Sequence, residues 1–296
     1  MATELTETRA RQLRATLTTV CATAGLDPDG ATLLRYTNNA VWSLPKQPIV
    51  VRIAYGPLGI ARAPRVVTMA RWLTDRRAPI PQLVPGIDQP FILGDTAAAT
   101  LWQRLPGAAT RWTAQDLAHP LRQFHALTPD DTELPRWNPF TAARRRLHAA
   151  DPVLPADDVA WLTEQWEESE HDYRTLDLPM GIMHGDAHTG NLLRDNDRTV
   201  LCDLDSTGIG PTAWDLVVTA VDDQRFGRDT YPELAAAYGR DVTTEPAWPT
   251  LRRIRELSLV TSVIADLARR PAVAAEHRRR LDDLRHNRPY RWTPYR

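Results

Sequence analysis

The run His184-Gly185-Asp186-Ala187-His188-Thr189-Gly190-Asn191, followed a short way on by Asp203-Leu204-Asp205, constrains this chain more than any other feature. Between the two lie Leu192-Leu193 and Val200-Leu201, separated by the polar stretch Arg194-Asp195-Asn196-Asp197-Arg198. Apolar pairs on either side of such a turn predict two short strands folded as a hairpin, which brings Asn191 and Asp203 together. The result is a cluster of oxygen donors. A hard cation such as magnesium takes oxygen ligands, and phosphoryl transfer needs that cation together with a carboxylate facing the attacking hydroxyl. Asp186, five residues before Asn191, is the candidate base, a role typically worth about 10²- to 10⁴-fold. Singly, such Asp, Asn and Gly residues cap turns; their ordered combination carries the signal.

The chain is 296 residues long, with 43% hydrophobic and 25% charged residues, the usage of a globular protein with room for two domains. A formal net charge of −1 and a pI near 6.7 lack the footprint of a nucleic-acid binder. Basic runs at Arg65 to Arg77 and Arg278 to Arg280 fall on predicted helices and read as solvated faces. Cys21 and Cys202 stand far apart in sequence and neither belongs to a C-x-x-C pair, which argues against a disulfide framework or a cysteine-based zinc site. No basic stretch leads into an apolar run at the N-terminus, and no stretch reaches about 18 consecutive apolar residues. Neither export nor a membrane span is expected, and the cytoplasm is the expected location. Lys46 is the sole lysine, so arginine carries the positive charge elsewhere.

Leu13, Leu17, Val20 and Ala24 recur at helical spacing before Gly25, predicting a helix over 5–24. A β-rich run from Leu33 to Leu44 is joined across Pro45-Lys46-Gln47-Pro48 to Ile49–Ala54, which predicts a hairpin. Val66, Met69 or Ala70, and Leu73 mark a helix, and strand-like runs follow at Phe91 to Leu93 and Thr100 to Leu105. After Pro106-Gly107 the texture becomes helical. Leu117, Leu121 and Phe124 share a face, and helices are expected over 140–150, 157–174, 212–225, 230–239 and 248–268. The fold class is therefore α+β, with a junction near 105–108 dividing domains 1–105 and 106–296.

His184, Gly185, Asp186 and Asn191, then Asp203 and Asp205, match the H-G-D-x-x-x-x-N and D-x-D pattern of a known family, and Gly210-Pro211 and Trp214-Asp215-Leu216 match its following segment. On these residues the chain resembles the aminoglycoside phosphotransferase and choline kinase group, relatives of the protein kinases. The resemblance implies a bilobal protein-kinase-like fold, with a small β-rich nucleotide lobe and a larger helical lobe for the acceptor. It implies transfer of the γ-phosphate of ATP or GTP, with Mg2+, to a hydroxyl of a small molecule such as an aminoglycoside or related metabolite. Asp186 is then the catalytic base, Asn191 and Asp203 are the metal ligands, and Asp205 is an auxiliary acid at the metal. His184 holds the loop, Asp215 is a helix N-terminal or buried hydrogen-bonding residue, and His188 either caps a turn or reaches a phosphate.

Tyr36 to Trp42 corresponds to the phosphate-covering turn. It contains no glycine, so Asn38 and Asn39, which tolerate left-handed conformations, stand in for one. Arg52 occupies the place of a phosphate-contacting lysine, and Gln103 to Leu105 that of the hinge whose backbone bonds the purine. The usual partner of that cation is a glutamate on the next helix; from Tyr55 to Pro90 the only acids are Asp75 and Asp88, and Val66 or Val67 stands at its place. Asp222, Asp223, Asp229, Glu233 and Glu256 are candidate acceptor-site acids, while Trp214, Phe226 and Tyr231 read as core. Two alternatives remain open: a non-catalytic nucleotide-binding regulator, suggested by the missing glutamate and glycine-free turn, and a metallohydrolase ligating zinc or manganese through His184, Asp186 and His188.

Overall fold

A computed structural model describes residues 6–37, 39–107, 111–130 and 133–295. In chain order its elements are α1 (Glu7–Ala24), β1 (Thr32–Tyr36), β2 (Asn39–Leu44), β3 (Ile49–Tyr55), α2 (Gly56–Asp75), β4 (Phe91–Leu93) and β5 (Ala97–Gln103). There follow α3 (Gln115–His125), α4 (Pro139–His148), α5 (Ala156–Arg174), β6 (Met180–Met183), β7 (Leu192–Asp195), β8 (Arg198–Leu201) and β9 (Gly208–Pro211). The chain ends with α6 (Trp214–Phe226), α7 (Tyr231–Tyr238), α8 (Trp248–Thr261) and α9 (Pro271–Arg285). The fold is α+β, as the sequence predicts, and the chain forms two compact units.

The first unit comprises 1–112, 129–135 and 190–208. Its five-stranded sheet has the order β1-β2-β3-β5-β4, antiparallel throughout. Strand alternation divides β3 between two faces. Val51 and Ile53 join Leu101 of β5 and Leu13, Leu17 and Val20 of α1 in one core. Arg52, paired in register with Val41 and Thr100, faces the other way. Helix α2 packs on β3 and β5, burying Val66, Met69, Ala70 and Leu73 at the spacing the sequence shows. Thr6 caps α1 and Gly25 ends it in the left-handed region. The hairpin β7–β8 belongs to this unit despite its late place in the chain.

The second unit comprises 113–128, 136–189 and 209–296. Helix α6 is its axis: every residue from Trp214 to Val221 is buried, the pattern of a helix enclosed on all sides. Aromatic rings of Trp137, Phe140, Trp166, Tyr173 and Trp214 pack in one cluster, with Trp137 and Trp214 centroids 4.7 Å apart. A Cβ at Gly210 of β9 would lie 2.7 Å from that of Trp137 and would strike the Met183 sulfur, so only glycine lets β9 pair with β6 here.

Two expectations need correction. The β-rich run 33–44 is two strands, because the Thr37 N–H donates to the Asn39 carbonyl at 3.1 Å and reverses the chain there. The helix expected over 248–268 ends at Thr261. Thr261 and Ser262 hydroxyls bond back to the Leu257 and Leu259 carbonyls at 2.8 Å each, a local competition that weakens helix continuation.

Candidate active site

Strand β6 carries the chain into the His184–Asn191 loop, which turns at Gly185 with φ of 87°, a conformation that L side chains avoid. Asp215, in the first turn of α6 and fully buried, pins that turn. Its carboxylate accepts the N–H groups of His184 and Gly185 at 2.8 and 2.7 Å, and meets His125 Nε2 at 2.9 Å. The neighbouring Trp214 indole donates to the Gly185 carbonyl at 3.0 Å. Burial pushes the Asp215 carboxyl up, but the hydrogen bond and charge of His125, with the loop amides, outweigh it and hold the group below its ordinary range. A buried anion is thus the anchor of the loop. His184 is buried edge-on against Phe124, at 6.0 Å between centroids, with Nδ1 facing the Asp186 N–H at 3.4 Å. Both residues take the positions the sequence assigns to them.

Asp186 keeps 43% of its side chain exposed. Its neighbours are His188, whose Nε2 lies 3.8 Å away, and Arg255 of α8, whose Nη1 lies 3.9 Å away. Arg255 Nη2 also donates to Asp222 of α6 at 3.4 Å. Burial lowers the pKa of His188 more than Asp186 raises it, so its imidazole is neutral at pH 7.

In the first unit, Asn191 closes a short 3-10 turn, buried, and its carbonyl accepts the Cys202 N–H at 2.9 Å. That bond extends the ladder from the Leu192–Leu201 pair and sets Asn191 beside the strand leading to Asp203, as the hairpin reading requires. Asp203 stands at φ 66° and ψ 68°, left-handed backbone that costs a non-glycine residue roughly 1–2 kcal/mol. The acid two residues on is engaged: Asp205 Oδ2 meets Arg52 Nη2 at 2.7 Å, while its buried Oδ1 has no hydrogen-bond partner. Arg52 Nη2 also reaches Asp203 Oδ1 at 3.4 Å. Arg52 therefore has an acidic partner, and the D-x-D segment supplies it instead of α2. Val66 and Val67 are buried core residues, and α2 presents Arg62, whose Nη1 is 4.0 Å from Asp205 Oδ2.

Gln103 ends β5 and gives its N–H to Gln82 at 2.8 Å and its side-chain amide to Leu83 at 3.2 Å. The Arg104 N–H goes to Pro48 at 2.7 Å. Leu105, half-buried, makes no backbone hydrogen bond among the described residues. Asn39 opens β2; Asn38 lies outside the described residues.

Most of the candidate acceptor acids are occupied. Asp223 accepts from Thr230 Oγ1 at 2.9 Å and from the Tyr231 amide, and so caps α7. Glu256 is buried against Arg225 at 2.7 Å and Arg252 at 3.3 Å. Asp229 and Glu233 are exposed. Trp214 and Tyr231 are buried, as core residues should be. Among the described residues no three His, Cys, Asp or Glu side chains are arranged to hold a metal ion. The His184, Asp186 and His188 set of the hydrolase alternative is not assembled, since His184 is sealed beneath Phe124 and turns Nδ1 to the loop backbone.

Sequence reasoning missed His125, Arg62 and Arg255. His125 meets Asp215 across 90 positions, with no local pattern to signal it, and the two arginines look like any others on amphipathic helices. Arg62 lies one turn before Val66 and just outside the basic run at Arg65 to Arg77.

A β-sheet unit holding a paired arginine and an Asn/D-x-D hairpin, with a helical unit holding a pinned H-G-D loop, is the construction of a kinase-like phosphotransferase. The chain belongs to the phosphotransferase enzyme family APH, whose sequence profile matches residues 34–257. Among solved structures it is similar to amicoumacin kinase hAmiN, determined in complex with AMP-PNP, Ca2+ and Ami, with TM-score 0.70, 13% identity, and coverage of 94% of this chain and 96% of that one. A choline/ethanolamine kinase family protein from Mesorhizobium loti aligns with TM-score 0.62 and 18% identity over 95% and 97% of the two chains. The aminoglycoside phosphotransferase APH(3'')-Id from Streptomyces rimosus aligns with TM-score 0.58 and 21% identity over 82% and 98%. No curated protein sequence matches the chain. No helix among the described residues is long and apolar enough to cross a membrane.

Proposed function

We propose that this phosphotransferase moves the γ-phosphate of ATP or GTP to a hydroxyl of a small molecule. The observation that carries this reading is the pinned loop: Asp215 fixes the backbone on the N-terminal side of Asp186 through two amides, while the Asp186 carboxylate stays accessible. Asp186 accepts the proton of the acceptor hydroxyl as its oxygen attacks the γ-phosphorus and the bond to the β-phosphate oxygen breaks. Asn191 and Asp203, with Asp205 as a third donor, would hold Mg2+. The fit rests on an all-oxygen donor set, on Asp203's held left-handed backbone, and on the buried Asp205 Oδ1 that has no partner of its own. The bound cation supplies neutralisation of charge on the phosphate oxygens. Arg52 offers permanent charge to the phosphates, the turn containing Asn38 and Asn39 covers them, and the unpaired Leu105 backbone receives the base, with Gln103 bordering it.

The test is Asp186→Asn, followed by coupled ADP release across hydroxyl acceptors. Turnover should fall by about 10²- to 10⁴-fold while nucleotide binding, measured by calorimetry, persists. Undiminished turnover would remove Asp186 from the mechanism.

A further inference from the structure

Arg255 is an arginine placed against Asp186 in the second unit, and it is under-satisfied. Its side chain is 15% exposed, yet its Nε is buried with no hydrogen-bond partner. Its Nη1 stands 3.9 Å from Asp186, beyond hydrogen-bond range, and its Nη2 makes a long 3.4 Å bond to Asp222. A guanidinium has five N–H donors, and leaving buried ones empty is unfavourable. The groups facing it are Asp186 and His188 from the loop and Asp222 from α6. His188 is neutral at pH 7 and adds no charge.

The remaining acids do not make a polycation site. Asp222 is taken by Arg255, Asp223 by the N-terminus of α7, and Glu256 by Arg225 and Arg252, which leaves only the exposed Asp229 and Glu233 of the five. A polyamine needs several uncommitted carboxylates converging on it. Here the donor beside Asp186 is Arg255 Nη1, which makes no hydrogen bond at 3.9 Å and, unlike the buried Nε, is not sealed from a ligand, so it suits an oxygen acceptor.

Resting on the kinase reading above, we propose that Arg255 binds the acceptor through a carbonyl oxygen, carboxylate or amide, that flanks the reacting hydroxyl. The substrate class is thus hydroxy acids and hydroxy amides, not polyamino sugars. Arg255 is a specificity-determining residue.

The full chain is assayed by ADP release with MgATP on three acceptor sets: short hydroxy acids, their amides, and aminoglycosides. Turnover of the acids or amides is expected, and which of the two dominates identifies the carbonyl source. Arg255→Ala should raise the KM for that acceptor by about 10- to 100-fold with nucleotide KM unchanged. Arg255→Lys keeps the pairing with Asp222 but not the planar fork; it guards against misfolding of the alanine variant and should give an intermediate KM. Turnover confined to aminoglycosides, silence of the whole carbonyl-bearing set, or a KM indifferent to both substitutions overturns the proposal. Failure of the underlying reading looks different: Asp186→Asn would leave turnover of every acceptor intact.

Discussion

Replacing Asp215 by asparagine tests the anchor of the reactive loop with minimal change of shape. In the native protein one carboxylate oxygen serves the Gly185 N–H at 2.7 Å, and the other serves the His184 N–H at 2.8 Å and His125 Nε2 at 2.9 Å. An asparagine has a single oxygen, so whichever way the amide turns, its NH2 confronts a backbone N–H. One or two hydrogen bonds to an ionised acceptor, each worth about 1.5–3 kcal/mol, are lost. The buried partner His125 also loses its ionised acceptor, so the expected destabilisation is about 3–5 kcal/mol. Urea unfolding followed by tryptophan fluorescence measures it, with Trp214 reporting from the adjacent position. The second consequence is kinetic: the loop no longer holds its turn, and kcat should fall by far more than acceptor KM rises. The native contribution of this carboxylate is fully present above the ordinary carboxylate range and is lost as pH falls through its lowered folded value. A variant within about 1 kcal/mol of the parent, on a scale where buried pairs cost several, with unaltered kcat, would refute the anchor.

Arg52→Met keeps an apolar stem but strips Asp205 of its 2.7 Å partner; nucleotide KM should rise by about 10- to 100-fold, read from initial rates against ATP, and an unchanged value would displace Arg52 from the phosphates. His277 is buried, its Nε2 has no hydrogen-bond partner, and burial drives its pKa down to about 4. The unfolded chain therefore binds the extra proton first: stability is complete above about pH 6.5 and declines as pH falls toward 4, by about 3 kcal/mol. His277→Leu should flatten the urea-midpoint profile across that window, and a profile as steep as the parent's would contradict it.

Much of the site was legible in the sequence because its parts are local. A loop, a turn and two apolar pairs sit within about two dozen residues, and hairpin pairing is dictated by alternation and turn chemistry. The buried roles of His184 and Asp215 came from the family resemblance rather than from any local pattern. What escaped was everything brought together by packing. Asp205 and Arg52 are separated by nine elements of structure, α2 through β8, and only the alternation of β3, with α2 laid on the sheet, sends that arginine toward the D-x-D turn. Arg255 and Asp186 approach each other in a helical unit where α8 packs against α6 and buries Ile254, Leu257 and Val260. The turn inside 33–44 and the end of α8 at Thr261 depend on single hydrogen bonds that periodicity does not register.

Where protein kinases hold the strand lysine with an acid on a mobile helix, shifting that helix disconnects the pair and turns the enzyme off. In this chain Arg52 is clasped by Asp203 and Asp205 of one short turn, and α2 contributes a second arginine, Arg62. Swinging α2 outward would therefore leave Arg52 fastened. On the reading proposed above, that particular off-position is closed to the chain, because the acids holding Arg52 lie on the turn and not on α2.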